Sequence, residues 1–168
     1  MTELRLLDAA DANAFREIRL AGLAESPASF GSSVEDEQSR TIGEWQERVT
    51  PSESSAVFGA FAEMNLVGVV RVVRESGRKQ EHRVSIASMY VAPVARRRGV
   101  AAELLQQALS HAQSWVGVRQ AELAVTAGNE SAVQLYRRFG FQQYGRAPAV
   151  LLVDGVYHDE LLMVRVLP

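Results

Sequence analysis

The chain of 168 residues contains no cysteine, which excludes disulfide bonds, thiolate metal sites and a cysteine nucleophile. It also lacks any apolar run close to the roughly 18 residues that a membrane-spanning helix needs. Its first fifteen residues contain neither a basic leader nor an apolar segment of the secretory kind. We therefore expect a cytoplasmic protein without a metal or a membrane partner.

Lysine is nearly absent, because 17 of the 18 basic residues are arginines and only Lys79 is a lysine. A genomic bias explains this count, although arginine also binds phosphate better than lysine does, through its bidentate fork. The formal net charge is −2, whereas dedicated nucleic-acid binders are usually strongly basic. We therefore expect no nucleic-acid partner.

Two common phosphate-binding loops are missing as well. The chain has no GxxxxGK[ST] motif, which excludes a P-loop NTPase, and no GxGxxG after its first predicted strand. A dinucleotide-binding unit is therefore not expected. Any phosphate site in this chain must be built in another way.

Hydrophobic periodicity predicts a single mixed α/β domain over residues 1–168, with the order β-α-α-β-β-β-α-β-α-β-β. No internal repeat or linker divides it. Predicted strands are Leu4–Leu7, Ala56–Ala62, Leu66–Arg74, Val84–Val91, Ala121–Thr126, Ala149–Val153 and Val156–Val166, with Phe141–Tyr144 also extended. Predicted helices are Asp11–Ala24, Val34–Val49, a central helix after Gly99, and Glu130–Phe139.

The stretch from Val84 to Trp115 joins an apolar strand to this central helix through a basic elbow, Arg96-Arg97-Arg98-Gly99-Val100-Ala101. A helix N-terminus presents unpaired N–H groups and a partial positive charge. Gly99 lets a ligand approach the backbone with no Cβ in the way, and three adjacent arginines repel one another unless an anion binds. The elbow predicts a phosphate site; the alternative is a solvated basic helix start that follows Pro93.

Two motifs resemble the GNAT superfamily of N-acetyltransferases. Arg96-x-x-Gly99-x-Ala101, preceded by Met89-Tyr90-Val91-Ala92-Pro93, is similar to the acyl-CoA signature R/Q-x-x-G-x-G/A. The segment NESAVQLYRRFGF, from Asn129 to Phe141, is similar to the second signature, N-x-x-A-x-x-x-Y-x-x-x-G-F. Arg97 and Ala101 replace glycines that many members have there, which binding by backbone amides tolerates. The resemblance covers Val57–Leu167 well and the N-terminal third loosely.

The resemblance implies the GNAT fold, a mixed α/β (α+β) architecture with a central, mostly antiparallel sheet of about seven strands and helices on both faces. It also implies acetyl-CoA as cosubstrate, with the amides of Arg96–Ala102 around the pyrophosphate and the strand edge at Met89 and Val91 paired with the pantetheine. The residues that it assigns to the cofactor are Met89, Tyr90, Val91, Arg96, Arg97, Arg98, Gly99, Val100, Ala101, Ala102, Asn129, Ala132 and Tyr136.

The same resemblance implies roles in the reaction. Tyr136 lies near the sulfur and protonates the leaving CoA thiolate; the alternative for Tyr136 is an aromatic of the core. The Met89 or Tyr90 amide polarises the thioester carbonyl. Many members carry a carboxylate on the strand before the signature, but this chain reads Ile86-Ala87-Ser88. The candidates for removing the amine proton are a water relayed through Ser85 or Ser88, His82, Glu35, Glu37, Tyr157, His158, Asp159 and Glu160.

We therefore expect direct transfer of an acetyl group to a primary amine in a ternary complex, with Tyr136 and Ser88 as catalytic residues, since no cysteine can carry the acyl group. The alternatives are a non-catalytic acyl-CoA-binding or regulatory domain and, more weakly, a nucleotide-binding module. No motif names the amine acceptor.

Acceptor specificity is expected in residues Pro27–Glu47 and in the Val153–Glu160 hairpin. The acidic residues Glu35, Asp36 and Glu37 would suit a cationic amine. Exposed terminal strands commonly pair in such proteins, so a homodimer is also predicted.

Overall fold

The computed structural model describes residues 2–168 and has a seven-stranded sheet as its centre. The strands are β1 (Glu3–Leu6), β2 (Ser55–Ala62), β3 (Asn65–Arg74), β4 (Arg83–Val91), β5 (Gln120–Thr126), β6 (Gln142–Val153) and β7 (Val156–Val166). The helices are α1 (Ala12–Glu25), α2 (Val34–Gln38), α3 (Ile42–Val49), α4 (Val100–Ser114) and α5 (Glu130–Arg138).

The strand order is β1-β2-β3-β4-β5-β7-β6. Within residues 2–168, only the β4–β5 pair is parallel, and the other five pairs are antiparallel. The prediction of a mostly antiparallel sheet of about seven strands is therefore confirmed. The predicted segments Phe141–Tyr144 and Ala149–Val153 form one strand, β6, which is interrupted by register shifts.

The predicted helix Val34–Val49 is wrong, because the chain forms two short helices there and the order becomes β-α-α-α-β-β-β-α-β-α-β-β. Thr41 caps the second of them: its hydroxyl accepts from the Glu44 amide at 3.3 Å, and the Glu44 carboxylate accepts from the Thr41 amide at 2.6 Å. This capping box starts a new helix at Ile42. The T-x-x-E pattern was the sequence signal for the break.

Helices cover both faces of the sheet, as predicted. On one face, α1 and α3 bury Phe15 and Trp45, whose rings meet edge to face at 5.7 Å. On the other face, α4 buries Leu104 and Leu105 against the strands. Gly68 on β3 lets α4 pack closely, since a Cβ there would lie 3.0 Å from Leu104 and 3.1 Å from Val100. The first turn of α4 is therefore held against the sheet.

The two parallel strands separate after a short contact, and this opens a gap in the sheet. β4 pairs with β5 only from Arg83 to Ser85. Ser88 then adopts a left-handed conformation (φ 54°), where β4 has two residues opposite the single residue Val70 of β3. Such a bulge bends a strand and increases its twist. Beyond it, the β4 edge that faces β5 is not paired with that strand.

One sheet edge is apolar and exposed. β6 lies at the end of the sheet and exposes Tyr144 and Leu152, while β7 exposes Val156 and Tyr157. The homodimer stays a prediction, as does the cytoplasmic location. Among the helices of residues 2–168, none has the length and apolar character to cross a bilayer.

Candidate active site

A cavity of about 600 Å³ lies at the open end of the gap between β4 and β5. Every residue predicted to contact the cofactor lines this cavity, except Arg98. Ser88, which was predicted to be catalytic, does not line the cavity. The structure thus brings both motifs to one cavity, although they lie about 30 residues apart in the chain. The lining residues are Ser26, Ser29, Phe30, Met89, Tyr90, Val91, Ala95, Arg96, Arg97, Gly99, Val100, Ala101, Ala102, Asn129, Ser131, Ala132, Leu135, Tyr136 and Arg138.

One wall of this cavity consists of Ser26, Ser29 and Phe30, in the segment after α1. Ser29 and Phe30 lie in the range Pro27–Glu47, where acceptor specificity was expected, but the sequence assigned none of the three to the cofactor site. The Thr126 hydroxyl of β5 donates to the Ala28 carbonyl and so ties this segment to the end of β5. An aromatic residue in a loop rich in serine was the available signal.

The N-terminus of α4 faces the cavity with its backbone. Gly99 is left-handed (φ 82°), and no side chain caps the helix. The amides of Val100, Ala101 and Ala102 belong to the first turn, where N–H groups have no partner inside the helix. A helix of 15 residues adds a partial positive charge at this point. The arrangement suits an anionic group such as a pyrophosphate.

The Arg96 side chain is paired within the protein, whereas the sequence predicted that all three arginines of the elbow are available to an anion. Its Nη2 lies 2.6 Å from the Glu25 carboxylate, and its Nε donates to the Val91 carbonyl at 2.9 Å. The hydrogen bond from Arg96 and then that from Tyr90 lower the pKa of Glu25. Arg96 therefore ties the elbow to α1, and Arg97 and Arg98 supply the remaining positive charge.

Tyr90 holds β4 against α1. Its hydroxyl donates to Glu25, and its ring packs on Gly22, where a Cβ would lie 3.0 Å from the ring. Burial, with the charge and hydrogen bond of Glu25, raises the pKa of Tyr90 to about 12. The Tyr90 side chain therefore stabilises the contact between β4 and α1 and forms part of the cavity wall.

The direction of the β4 amides distinguishes Met89 from Tyr90. The Ala92 amide donates to the Val67 carbonyl of β3, and Tyr90 pairs with Val69 of the same strand. Because successive amides of a strand point to opposite edges, the Tyr90 amide also points toward β3. The Met89 and Val91 amides therefore face the gap. Of the two amides considered for polarising the thioester, only that of Met89 has a suitable direction.

Asn129 caps α5 at the cavity. Its Oδ1 accepts from the Ala132 amide at 3.3 Å and from the Ser131 hydroxyl at 3.2 Å. These bonds orient the side chain and use only its oxygen. The Nδ2 group is the part of Asn129 that a ligand could bond.

Tyr136 lies about two turns after Asn129 on α5 and is 6% exposed. Its ring meets Phe141 edge to face at 5.9 Å, so it does serve the core. Its hydroxyl, however, makes no hydrogen bond with residues 2–168, and the residue lines the cavity. Burial raises the pKa of Tyr136 to about 12. The phenol therefore keeps its proton at neutral pH.

Glu37 is wrong as a candidate base and as a contact for a cationic amine. Its side chain is fully buried, and three arginines surround it: Arg48 at 2.7 Å, Arg40 at 3.1 Å and Arg19 at 3.4 Å. Burial alone would raise the pKa of Glu37, but Arg48 and Arg19 outweigh it and lower that pKa to about 2. The sequence placed Glu37 in an acidic run and gave no sign of its partners.

The other candidate bases differ in position. His82 precedes β4 at the end where β4 and β5 are paired, away from the cavity. Ser85 donates to Glu75, and Asp159 accepts from Arg146 at 2.8 Å. Glu160 pairs with Thr126 at the open end of the gap and forms no ion pair with residues 2–168. Within those residues there is also no group of three histidine or acidic side chains that could hold a metal.

The family follows from a match to the model of the acetyltransferase (GNAT) family over residues 19–141. This match covers more than half of the chain and includes both motifs. The chain therefore belongs to the GNAT acetyltransferase family. The predicted fold and the predicted enzyme class, an acetyl-CoA-dependent acetyltransferase, are confirmed.

Relatives within this family differ in what they act on. An L-amino acid N-acetyltransferase of Escherichia coli strain K12 is 27% identical over 73% of this chain and 75% of its own length. A spermidine N(1)-acetyltransferase of Vibrio cholerae is 28% identical over 58% of this chain and 55% of its own. The structure of a phosphinothricin acetyltransferase from Sinorhizobium meliloti in complex with acetyl-CoA superposes with a TM-score of 0.83 at 22% identity, over 99% of this chain and 88% of that one.

Two substitutions at Arg97 separate the effect of its side chain from that of its backbone. Arg97→Ala and Arg97→Gly both remove the guanidinium, but only glycine relieves the left-handed conformation (φ 61°). We expect both variants to raise KM for acetyl-CoA about fivefold, since a charge-assisted hydrogen bond at an exposed site contributes about 1 kcal/mol. Arg97→Gly should be more stable than Arg97→Ala by about 1 kcal/mol.

Steady-state kinetics at varied acetyl-CoA and urea unfolding would measure both effects. Arg78→Ala, in the exposed turn before β4, is the matched control and should change neither. An unchanged KM in both Arg97 variants would mean that the amides alone bind the phosphates.

Proposed function

We propose that residues 1–168 form one N-acetyltransferase domain that transfers the acetyl group of acetyl-CoA to a primary amine by direct attack in a ternary complex. The observation that carries this proposal is the convergence of three groups on one cavity. These are the uncapped N-terminus of α4, the Met89 amide and the protonated hydroxyl of Tyr136.

The cavity fits acetyl-CoA in its chemistry. The amides of residues 96–102, with Arg97 and Arg98, would hold the pyrophosphate at the α4 N-terminus. The Nδ2 group of Asn129 would bond the pantetheine arm, and the free edge of β4 at Met89 and Val91 would pair with its amides. Acetyl-CoA supplies the activated acetyl group. Each residue named here except Arg98 lines the cavity.

The chain supplies three functions for the transfer. The Met89 amide donates a hydrogen bond where negative charge develops on the acetyl oxygen. Tyr136 donates a proton toward the departing sulfur, and its raised pKa keeps that proton available. An amine has a pKa near 10 and is mostly protonated at neutral pH, so a proton must also be removed from the acceptor. Ser88 is partly exposed at the strand bulge, and a water at that position would carry this proton.

Glu160 is the carboxylate that we propose receives the amine proton, through water near Ser88. By strand pairing it lies beside Thr126, at the end of β5 that borders the gap. It is half-buried and has no arginine partner among residues 2–168. Glu160→Gln should lower kcat/KM for the amine about 10²-fold at neutral pH, as expected for loss of a general base. Asp154→Asn, at the tip of the same hairpin, is the control and should leave the rate unchanged.

Free-thiol release from acetyl-CoA, measured against a panel of amino acids, polyamines and N-terminal peptides, tests the function. We expect thiol release that depends on both an amine and the enzyme, at initial rates that fit a ternary-complex pattern with intersecting lines. Parallel lines would show a covalent acyl-enzyme and contradict direct transfer. Tight CoA binding without thiol release for any amine would indicate a non-catalytic acyl-CoA-binding domain instead.

A further inference from the structure

An excess of buried positive charge lies beside the candidate active site. Arg19 of α1, Arg48 of α3 and Arg40 between α2 and α3 all pair with one carboxylate, that of Glu37. The side chains of Arg19, Arg48 and Glu37 are 7%, 17% and 1% exposed. Arg40 is 41% exposed, so water partly screens its charge. The two largely buried guanidinium groups and the one carboxylate leave a net charge of +1 in a largely dry environment.

Arg71 of β3 adds a fourth cation to this group. Its Nε donates to the Ser55 hydroxyl at 3.1 Å, and no carboxylate of residues 2–168 pairs with it. Burial, together with the charges of Arg48 and Arg19, lowers the pKa of Arg71, so these cations lie close enough to repel. Desolvated charge of one sign is costly unless an anion compensates it. Within the described residues, that anion is missing.

The position of Arg71 links this charge to the reaction site. In the β3–β4 ladder, Arg71 lies directly opposite Ala87, so both side chains emerge on the same face of the sheet. Ala87 is exposed and offers only a methyl group, so α1 and α3 do not cover the face at this point. Ala87 directly precedes the bulge at Ser88 and Met89. Arg71 therefore lies at the border between the buried cluster and the open end of the gap.

Phe30 connects the same cluster to the cavity from the other side. The Arg19 guanidinium lies 4.8 Å from the centre of the Phe30 ring, and Phe30 lies 6.3 Å from the ring of Tyr90. Phe30 and Tyr90 both line the cavity. A single aromatic ring thus separates the cavity from the buried cations. The Phe30 ring presents an apolar surface to a ligand in the cavity, while the positive charge of Arg19 lies directly behind the ring.

We propose that Arg71 binds the carboxylate of an α-amino acid acceptor, with Arg19 and Arg48 supplying the surplus positive charge. This inference rests on the proposed function. Arg71 lies opposite Ala87, which is two residues before Met89 on β4. A compact acceptor, whose amine and carboxylate are joined through one carbon, suits two groups so near each other in one strand pair. The planar guanidinium of arginine can also donate two parallel hydrogen bonds to one carboxylate.

The test is thiol release from acetyl-CoA with the twenty common L-α-amino acids. Each active one is compared with its α-carboxamide and with its decarboxylated amine. We expect kcat/KM to be at least 100-fold higher for the acid than for either analogue. Arg71→Met should remove this preference by raising KM for the amino acid about 100-fold, while KM for acetyl-CoA stays within twofold. Arg71→Lys should retain part of the preference, because it keeps the charge and loses the fork.

A second readout does not depend on turnover. Isothermal titration of the best amino acid into CoA-saturated protein should show binding that Arg71→Met weakens about 100-fold. The matched control is Arg78→Met, an exposed arginine outside the cluster, which should change neither measurement. If Arg71→Met does not fold, as judged by circular dichroism, Arg71→Lys and the comparison of acid with carboxamide on the native protein decide the question.

Two results would overturn the proposal. One is acetylation of the carboxamide, the decarboxylated amine or spermidine as efficient as that of the amino acid; the other is an Arg71→Met variant whose KM for the amino acid is unchanged. Absence of thiol release with every amine would defeat the proposed function alone, provided that titration still shows amino acid binding that depends on Arg71. Absence of both turnover and binding would defeat the two together.

Discussion

Replacement of Tyr136 by phenylalanine is expected to lower kcat about 100- to 1000-fold, as the loss of a general acid does. Tyr136 lines the cavity and its hydroxyl makes no hydrogen bond with residues 2–168, so removal of the hydroxyl leaves no buried partner unsatisfied. The ring keeps its contact with Phe141. We therefore expect the free energy of unfolding to change by less than about 1 kcal/mol. KM for acetyl-CoA should stay nearly constant.

The control for this variant is Tyr144→Phe, which removes a phenol from the exposed face of β6 and should leave kcat unchanged. Steady-state kinetics and urea unfolding of both variants give the comparison. A Tyr136→Phe enzyme with kcat within threefold of the native value would show that Tyr136 is an aromatic of the core and no acid.

The pH dependence supplies a sharper signature of the same group. Burial raises the pKa of Tyr136 to about 12, so its proton is present across the neutral and mildly alkaline range and is lost only as the pH approaches 12. The amine becomes a better nucleophile as the pH rises toward its own pKa near 10. We expect kcat/KM to rise from pH 7 to pH 9.5 and to show no alkaline limb there. A decline between pH 8 and 9.5, absent in Tyr136→Phe, would contradict the raised pKa.

Replacement of Glu37 by glutamine should destabilise the protein by about 3–5 kcal/mol, the range measured when one partner of a buried ion pair is removed. The change leaves Arg19, Arg40 and Arg48 with no carboxylate among residues 2–168. The substitution should affect the free energy of unfolding more strongly than it affects kcat of the protein that remains folded. Urea unfolding at pH 7 measures it. Glu35→Gln, an exposed residue of the same helix, is the control and should change stability by less than about 0.5 kcal/mol.

Acid titration gives the sign of the Glu37 effect independently. The pKa of Glu37 is about 2 in the folded protein, below its ordinary value of 4.5. The stability that the ionised carboxylate contributes is therefore complete above about pH 4.5 and is lost as the pH falls toward 2. Native protein should lose more stability between pH 5 and pH 3 than Glu37→Gln does. Equal losses in the two proteins would show that Glu37 does not carry the ion-pair network.

Local chemistry made several elements predictable from the chain. Asp154-Gly155 forms a tight hairpin turn with left-handed residues at both positions (φ 48° and 77°), as that dipeptide favours. Asn129 caps α5, and Gly140 ends it with a left-handed conformation (φ 81°). The split between α2 and α3 was missed, since hydrophobic periodicity alone does not register a new capping box at Thr41.

Pairing between distant segments decided what local patterns could not. Two neighbouring amides, those of Met89 and Tyr90, are equivalent in the sequence, and only the pairing of β4 with β3 turns one of them toward the gap. Arg96 looked like a phosphate ligand until α1 brought Glu25 to it. In each case the partner is more than 20 residues away, and no spacing rule reaches that far.

The sequence by itself determined the family and the local form of the two segments that we propose hold the cofactor, because the elbow from Arg96 to Ala101 and the segment from Asn129 to Phe141 present backbone amides and a helix cap. Those groups depend on local conformation, which residue types at fixed spacing specify. The charge beside the cavity was decided only by tertiary structure. Glu37 is one carboxylate of an acidic run in the sequence, yet packing of α1, α3 and β3 around it makes the region cationic. Charge in a folded protein depends on neighbours in space, and burial removes the water that would otherwise screen it.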